Sequence, residues 1–237
     1  MVYLPLVPTY DEQVESFTWE RTFHAEKERR DHLLLYRLQP RWLLRRRFPG
    51  REIKLRFVLR YRTAGMLLDF GCGSGDFLKA ACRQFTVTGL DISPTLARKA
   101  AAAAPEATIV CAPATETRLP AGSFDVITIF SYLEHEPHPI AALAHARELL
   151  KPEGVLILKT PNYASLNRRI TGRLWCGYRF PDHCNYFTPE TIRQLLAHTG
   201  FRTLAGRFGD HLPTSDSMYL AAAPQPSSMP AISDQCS

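Results

Sequence analysis

Met66-Leu67-Leu68-Asp69-Phe70-Gly71-Cys72-Gly73-Ser74-Gly75-Asp76 is the stretch that decides the fold. An apolar run stops at an acid, and glycines follow at alternate positions. Phe77-Leu78-Lys79-Ala80-Ala81-Cys82 then has the pattern of a helix start. A short apolar run bounded by turn residues predicts a buried strand over Met66–Phe70. Glycines let the chain turn sharply where a Cβ would block a ligand, and the next helix aims its free amides into that turn. A dinucleotide fingerprint would need Gly-x-Gly-x-x-Gly, and here the third glycine comes one residue early, which argues against a nicotinamide dehydrogenase.

Working outward, the pattern repeats. Phe85–Ser93 is a β-rich run ending in Asp91-Ile92, with Ser93 as helix cap and Pro94 at the first helical position. Asp91 stands 20 residues after Gly71, and a carboxylate at a strand tip can accept both hydroxyls of a ribose. Ala107–Cys111 predicts a third strand. Ser123–Phe130 predicts a fourth, leading into Ser131-Tyr132-Leu133-Glu134-His135-Glu136. Ligands of open α/β sheets bind beyond the carboxyl ends of the strands, so Phe130–His135 belongs at the reacting centre. Val155–Lys159, then a helix from Thr188-Pro189 to Gly200, then strands near Phe201–Arg207 and Ser217–Ala223 complete an α/β alternation.

Asp69-Phe70-Gly71-Cys72-Gly73-Ser74-Gly75 resembles the first motif of class I S-adenosylmethionine-dependent methyltransferases. Separate segments from about Leu67 to about Ala223 carry the likeness, including Leu133-Glu134-His135 and the turn Leu149–Leu156. The resemblance implies a Rossmann-like seven-stranded sheet with its last strand antiparallel, preceded by a helical segment. It implies S-adenosylmethionine as cofactor: Asp69, Gly71, Cys72, Gly73 and Gly75 seat the methionine part, Asp91 the ribose, and Ile92 the adenine. Phe130 closes the cofactor side. Relatives carry an acid early in the loop after the third strand, where this chain has Ala114 or Thr115, so either Glu116 or backbone atoms make that contact.

The Glu-His pair is similar to that of ubiquinone-biosynthesis O-methyltransferases. Some of these bind a divalent metal through an acid three residues before the glutamate. Ser131 occupies that place here, so no metal is expected. His135 is one candidate base, because imidazole takes a proton near neutral pH. His183 is the second. Glu134 either caps the neighbouring helix or orients a histidine on the acceptor side.

The segment 160–187 is a long insertion in which Trp175, Tyr178 and Tyr186, interleaved with arginines, suit a planar or anionic acceptor. These readings divide the chain into an N-terminal arm and basic helical lid (1–65), a cofactor-binding domain (66–223) and a tail (224–237). The arm is expected to be extended over residues 1–15. Phe17 and Trp19 either line the lid or pack within it.

The net charge of +6 resides in residues 1–65, which hold 14 Lys/Arg against 8 Asp/Glu. The rest of the chain holds 15 of each. The densest part, Arg41–Arg47, can attract nucleic acid, anionic lipid or an acidic substrate, or be a solvated helix face. Nucleic acid is disfavoured as the acceptor: an Asn/Asp-Pro-Pro-aromatic motif is missing after the fourth strand. A silent cofactor-binding subunit is the remaining alternative. Six scattered cysteines without a CxxC pair argue against a disulfide framework or zinc ribbon and for a reducing cytoplasm. The expected activity is methyl transfer to a small acceptor, most simply an oxygen nucleophile. The acceptor's identity stays open, as do peripheral membrane contact and oligomeric state.

Overall fold

The computed structural model describes residues 2–3, 7–16, 50–180, 182–206 and 215–226. Phe17, Trp19, the Arg41–Arg47 patch and all but the first residues of the expected tail lie outside these.

Seven strands form the main sheet: β2 (Gly65–Phe70), β3 (Phe85–Asp91), β4 (Thr108–Cys111), β5 (Phe124–Phe130), β6 (Leu150–Pro161), β8 (Phe201–Gly206) and β9 (Ser217–Pro224). Their order is β4-β3-β2-β5-β6-β9-β8. Leu67 lies opposite Val87 on one side and Val126 on the other, both in parallel register. Such neighbours require crossover helices. β9 runs antiparallel between β6 and β8, with Leu158 opposite Leu220. The expected antiparallel last strand is present, and it inserts between two earlier strands.

The apolar run of β2 is explained by burial on both faces. Side chains alternate across a strand, so Leu68 and Phe70 enter one core with Leu143, Leu149, Ile192 and Leu196. Leu67 enters the opposite core with Phe57, Phe77, Leu78 and Ala100. These helical residues come from α2 (Gly50–Val58), α3 (Asp76–Ala81), α4 (Pro94–Ala103), α5 (Pro139–Leu149) and α7 (Pro189–His198). α4 starts as its sequence predicts: Ser93 Oγ accepts from Leu96 N, with Pro94 next. α7 starts on a capping box between Thr188 and Thr191.

Two elements depart from expectation. Tyr10–Ser16 is a helix, α1, inside the arm expected to be extended. Thr9 and Glu12 cap it reciprocally, Thr9 N donating to Glu12 Oε2 at 2.8 Å and Glu12 N to Thr9 Oγ1 at 3.3 Å. The segment 160–187 is largely structured, with α6 (Leu166–Thr171), a 3₁₀ turn at Gly172–Leu174 and a two-residue strand β7 (Asn185–Tyr186). β7 pairs with β1 (Val2–Tyr3), tying the start of the chain to the insertion.

Candidate active site

The strand order reverses at β2, and a cavity of about 370 Å³ opens beyond the carboxyl ends of β2, β3 and β5. Asp69, Gly71, Cys72 and Gly73 line it from the first turn, and Asp91 and Ile92 from the second. Phe130, Ser131, Tyr132, His135 and Glu136 line it from the third. α1 contributes Tyr10 and Gln13, and α2 contributes Lys54.

The glycine turn has left-handed backbone at 71, 73 and 75. At Gly75 a Cβ would fall 2.8 Å from the Ala100 backbone, so this glycine lets α3 and α4 approach and does not line the cavity. At Gly73 a Cβ would meet nothing within 4 Å, because the space in front of it is the cavity itself. Gly73 N donates to Asp91 Oδ2 at 2.8 Å and Ser93 N to Asp91 Oδ1 at 2.9 Å. Burial raises the Asp91 pKa and these two amides oppose the rise. A carboxylate has about four acceptor positions, so two amides leave capacity for a ligand.

Asp69 is 3% exposed and accepts from Thr128 Oγ1 at 2.6 Å. Burial pushes its pKa up to about 6, against the pull of Lys54. Burial lowers the Lys54 pKa in turn, opposed by Asp69, Asp76 and Glu134. The Lys54 ammonium stands 4.9 Å from the Phe130 ring centre and 5.9 Å from that of Phe77. Sequence reading counted Lys54 only among basic residues. The overlooked signal was its place three and four residues before buried Phe57 and Val58, on the apolar face of a helix.

His135 Nδ1 meets Asp182 Oδ1 at 2.9 Å, and Asp182 also pairs with Arg179 at 3.0 Å. Burial acts to lower the His135 pKa, but the Asp182 hydrogen bond and charge outweigh it and the net shift is upward. With Nδ1–H directed at Asp182, Nε2 is the basic nitrogen of the neutral ring. His183 packs edge-on to His135, ring centres 4.6 Å apart, with Nδ1 2.9 Å from the Gly177 carbonyl oxygen. Burial and the charges of His135 and Arg179 hold its pKa well below the usual value, so it is neutral. It does not line the cavity.

Glu134 is buried with Oε2 unpartnered. Glu134, His135 and His183 each bring one ligand atom to within 4.8 Å of the others, and each histidine has its second nitrogen already engaged. That donor set suits a divalent ion, and the sequence expectation weighed only the first two of these residues. Glu136 is also buried, accepting from Tyr10 Oη at 2.6 Å, from Tyr132 Oη and from His138 N at 2.8 Å. Tyr10 and Glu136 were not anticipated, whereas Tyr132 lies in the Phe130–His135 stretch expected at the reacting centre.

The structure places four other expected residues away from the cavity. Glu116 is exposed in the 3₁₀ turn Ala114–Glu116, and the turn's Ala114 and the preceding Ala112 line the cavity in its stead. Trp175 donates Nε1–H to Asp216 Oδ1 at 2.8 Å and stacks edge-on to Tyr178, ring centres 5.4 Å apart. Tyr178 in turn packs on Tyr186 at 5.5 Å. Asp216 draws this cluster inward by also accepting from Ser165 Oγ and Asn167 Nδ2.

With this geometry in view, the profile of the family described as "Methyltransferase domain" matches residues 42–205, well over half of the chain. The chain belongs to that family, within the class I S-adenosylmethionine-dependent methyltransferases. The ubiquinone biosynthesis O-methyltransferase of Actinobacillus pleuropneumoniae serotype 5b is 37% identical over 106 residues, covering 40% of this chain and 45% of that protein. Its counterpart in Psychrobacter arcticus is 30% identical over 151 residues, covering 57% and 58%. The chain thus spans about half the length of the curated relatives it matches.

Among solved structures, Burkholderia thailandensis 1,6-didemethyltoxoflavin-N1-methyltransferase, with bound 1,6-didemethyltoxoflavin and S-adenosylhomocysteine, aligns with a TM-score of 0.61. The identity is 17%, over 95% of this chain and 94% of that one. A Thermotoga maritima possible histamine N-methyltransferase aligns at 0.62 with 19% identity, over 86% and 97%. Both show that this is the methyltransferase fold.

Proposed function

We propose that the protein transfers a methyl group from S-adenosylmethionine to an oxygen of a small acceptor. The observation carrying this reading is that Asp91, clamped by the amides of Gly73 and Ser93, faces the same cavity as the His135–Asp182 pair. The glycine turn seats the methionine part, the free capacity of Asp91 takes the ribose hydroxyls, and Ile92 and Ala114 flank the adenine. Asp69, Asp91, Glu136 and Asp182 outnumber Lys54 along the wall, a balance that favours a cationic sulfonium cofactor.

Bound S-adenosylmethionine supplies an activated methyl. The chain's part is to hold the acceptor in line with it and exclude water. His135 Nε2 takes the acceptor proton while Asp182 stabilises the imidazolium that forms, an effect worth roughly 10²–10⁴-fold. His183, neutral and behind His135, keeps that ring in place. Two tyrosine hydroxyls and two carboxylates on the acceptor side favour a neutral hydroxylated aromatic over an anion. Should a divalent ion bind, Glu134, His135 and His183 would hold it and it would supply a Lewis acid.

Incubation with methyl-labelled S-adenosylmethionine and a pool of phenolic metabolites tests the reading. Labelled product is expected from the wild type and loss of about 10²-fold or more in turnover from His135→Ala, with cofactor affinity retained. No calorimetric binding of S-adenosylmethionine to the folded wild type would overturn it.

A further inference from the structure

Ser131 directly follows β5 and lines the cavity between Phe130 and Tyr132. Among the described residues it is the one non-glycine with left-handed backbone, at φ 58°. That conformation is strained for a residue with a side chain, and it persists where the surroundings over-determine it, most often at functional sites. Lys159 on β6 does so here. Its carbonyl oxygen accepts from Ser131 N at 2.8 Å, and its ammonium donates to Ser131 Oγ, also at 2.8 Å. Conformation alone would favour glycine at this place, so the hydroxyl has a separate reason to be there.

The bonds around it supply that reason. A serine hydroxyl has one hydrogen to donate and two lone pairs. Lys159 occupies a lone pair, and among the described residues no protein atom accepts the hydrogen. Two other hydroxyls on the acceptor side, those of Tyr10 and Tyr132, both donate to Glu136. The Lys54 ammonium stands over Phe130 and Phe77 on the cofactor side. Lys159 does not line the cavity itself, so its charge reaches the acceptor through the Ser131 hydroxyl that it polarises.

We infer, resting on the methyl-transfer reading above, that Ser131 is a catalytic residue whose O–H donates to the acceptor oxygen and stabilises the phenolate that forms there, with Lys159 as the positioning residue behind it. The acceptor's proton passes to His135 Nε2. An oxygen lone pair closes the new bond to the methyl carbon, the methyl–sulfur pair returns to sulfur, and Ser131 keeps its hydrogen. Glu136 and Asp182 on the same side oppose a forming anion, and this donor offsets them. A phenol of ordinary pKa, about 10, is about one part in a thousand ionised at pH 7, so each unit of lowering raises the phenolate about tenfold.

Absorbance titration of 4-nitrophenol with the full chain, without cofactor and with a chelator present, tests this apart from methyl transfer. The bound probe is expected to ionise about one pH unit below the free probe, about a tenfold shift. Ser131→Ala and Ser131→Gly are each expected to lose the shift, and Lys159→Met most of it. Ser131→Gly also relieves the left-handed strain, so its melting temperature is expected at or above that of the wild type, which separates the hydroxyl's role from a structural one. In turnover at pH 7 on a phenol of ordinary pKa, both Ser131 variants should lose about tenfold or more in kcat with acceptor KM nearly unchanged. A wild type that leaves the probe unbound or unshifted would overturn the proposal, as would a full shift in Ser131→Ala. So would weakened S-adenosylmethionine binding by Ser131→Ala with the shift intact, which would assign the hydroxyl to the cofactor. A wild type that shifts the probe but binds no S-adenosylmethionine would leave this donor standing and sink the methyl-transfer reading alone.

Discussion

The two sides of the cavity are built differently. The side formed by the β2 and β3 tips uses two short stretches, Gly71–Gly73 and Asp91–Ser93, joined by the bond from Gly73 N to Asp91. The side formed by β5 and the insertion joins partners far apart in sequence, His135 with Asp182 and Tyr10 with Glu136, and is backed away from the cavity by Trp175 with Asp216. The first is a backbone cradle needing a few glycines and acids at fixed offsets. The second is a set of side-chain bonds between separate segments, free to change residue by residue while the sheet stays put. A single fold can therefore keep one cofactor grip and vary its acceptor chemistry.

Asp91→Ala should show the largest effect and fall wholly on the first side. It removes an acceptor for two hydroxyls and frees the Gly73 and Ser93 amides. Charged hydrogen bonds contribute about 1.5–3 kcal/mol each, so S-adenosylmethionine affinity should drop by about 10²–10⁴-fold in calorimetry. Asp216→Ala should do the reverse. It leaves Ser165, Asn167 and Trp175 donors without their acceptor, at about 3–5 kcal/mol of stability by denaturant unfolding. Asp216 does not line the cavity, so cofactor affinity should stay within about threefold. If Asp216→Ala weakened the cofactor as much as Asp91→Ala does, the two sides would not be separable.

This division also explains what could be read from the chain alone. The strands and the helix caps at Ser93 and Thr188 were legible because periodicity and capping are local, and the antiparallel last strand came from the family resemblance. The glycine turn and Asp91 were placed at the cavity from spacing. Trp175, Tyr178 and Tyr186 were expected at the site from residue type and Glu116 from the family resemblance, and in the structure they lie off the cavity. Nothing local says that Asp216, beyond β7, α7 and β8, collects the Trp175 indole. Lys54 and the Thr9-x-x-Glu12 box were readable signals that went unused: a lysine on a buried helix face, and a helix start inside a proline-rich arm.

Asp69 offers a pH test of the cofactor side. Its folded pKa is about 6, above the ordinary carboxylate value, so between pH 4 and 6 the folded chain holds the proton more tightly than the unfolded chain. That contribution is present at low pH and is lost as pH rises through about 6, amounting to about 3 kcal/mol. The stability of wild type minus that of Asp69→Asn should therefore fall across this window. Binding of the cationic cofactor should release a proton near pH 5–6, since a positive charge favours the carboxylate. A pH-independent difference would mean that Asp69 is ionised throughout.

The smallest expected effect is the most discriminating for how α1 meets the site. Tyr10 donates to Glu136 and lies 3.1 Å from Thr115 Oγ1, while Gln13 Nε2 donates to the His135 carbonyl at 2.7 Å. Tyr10→Phe removes one hydrogen bond but keeps the ring, and Glu136 retains Tyr132 and the His138 amide. The loss in stability should be about 1 kcal/mol. If α1 only covers the cavity, cofactor and acceptor affinities should weaken together. If α1 belongs to the acceptor side, as its bonds to Glu136 and His135 indicate, KM for the acceptor should rise while cofactor affinity holds.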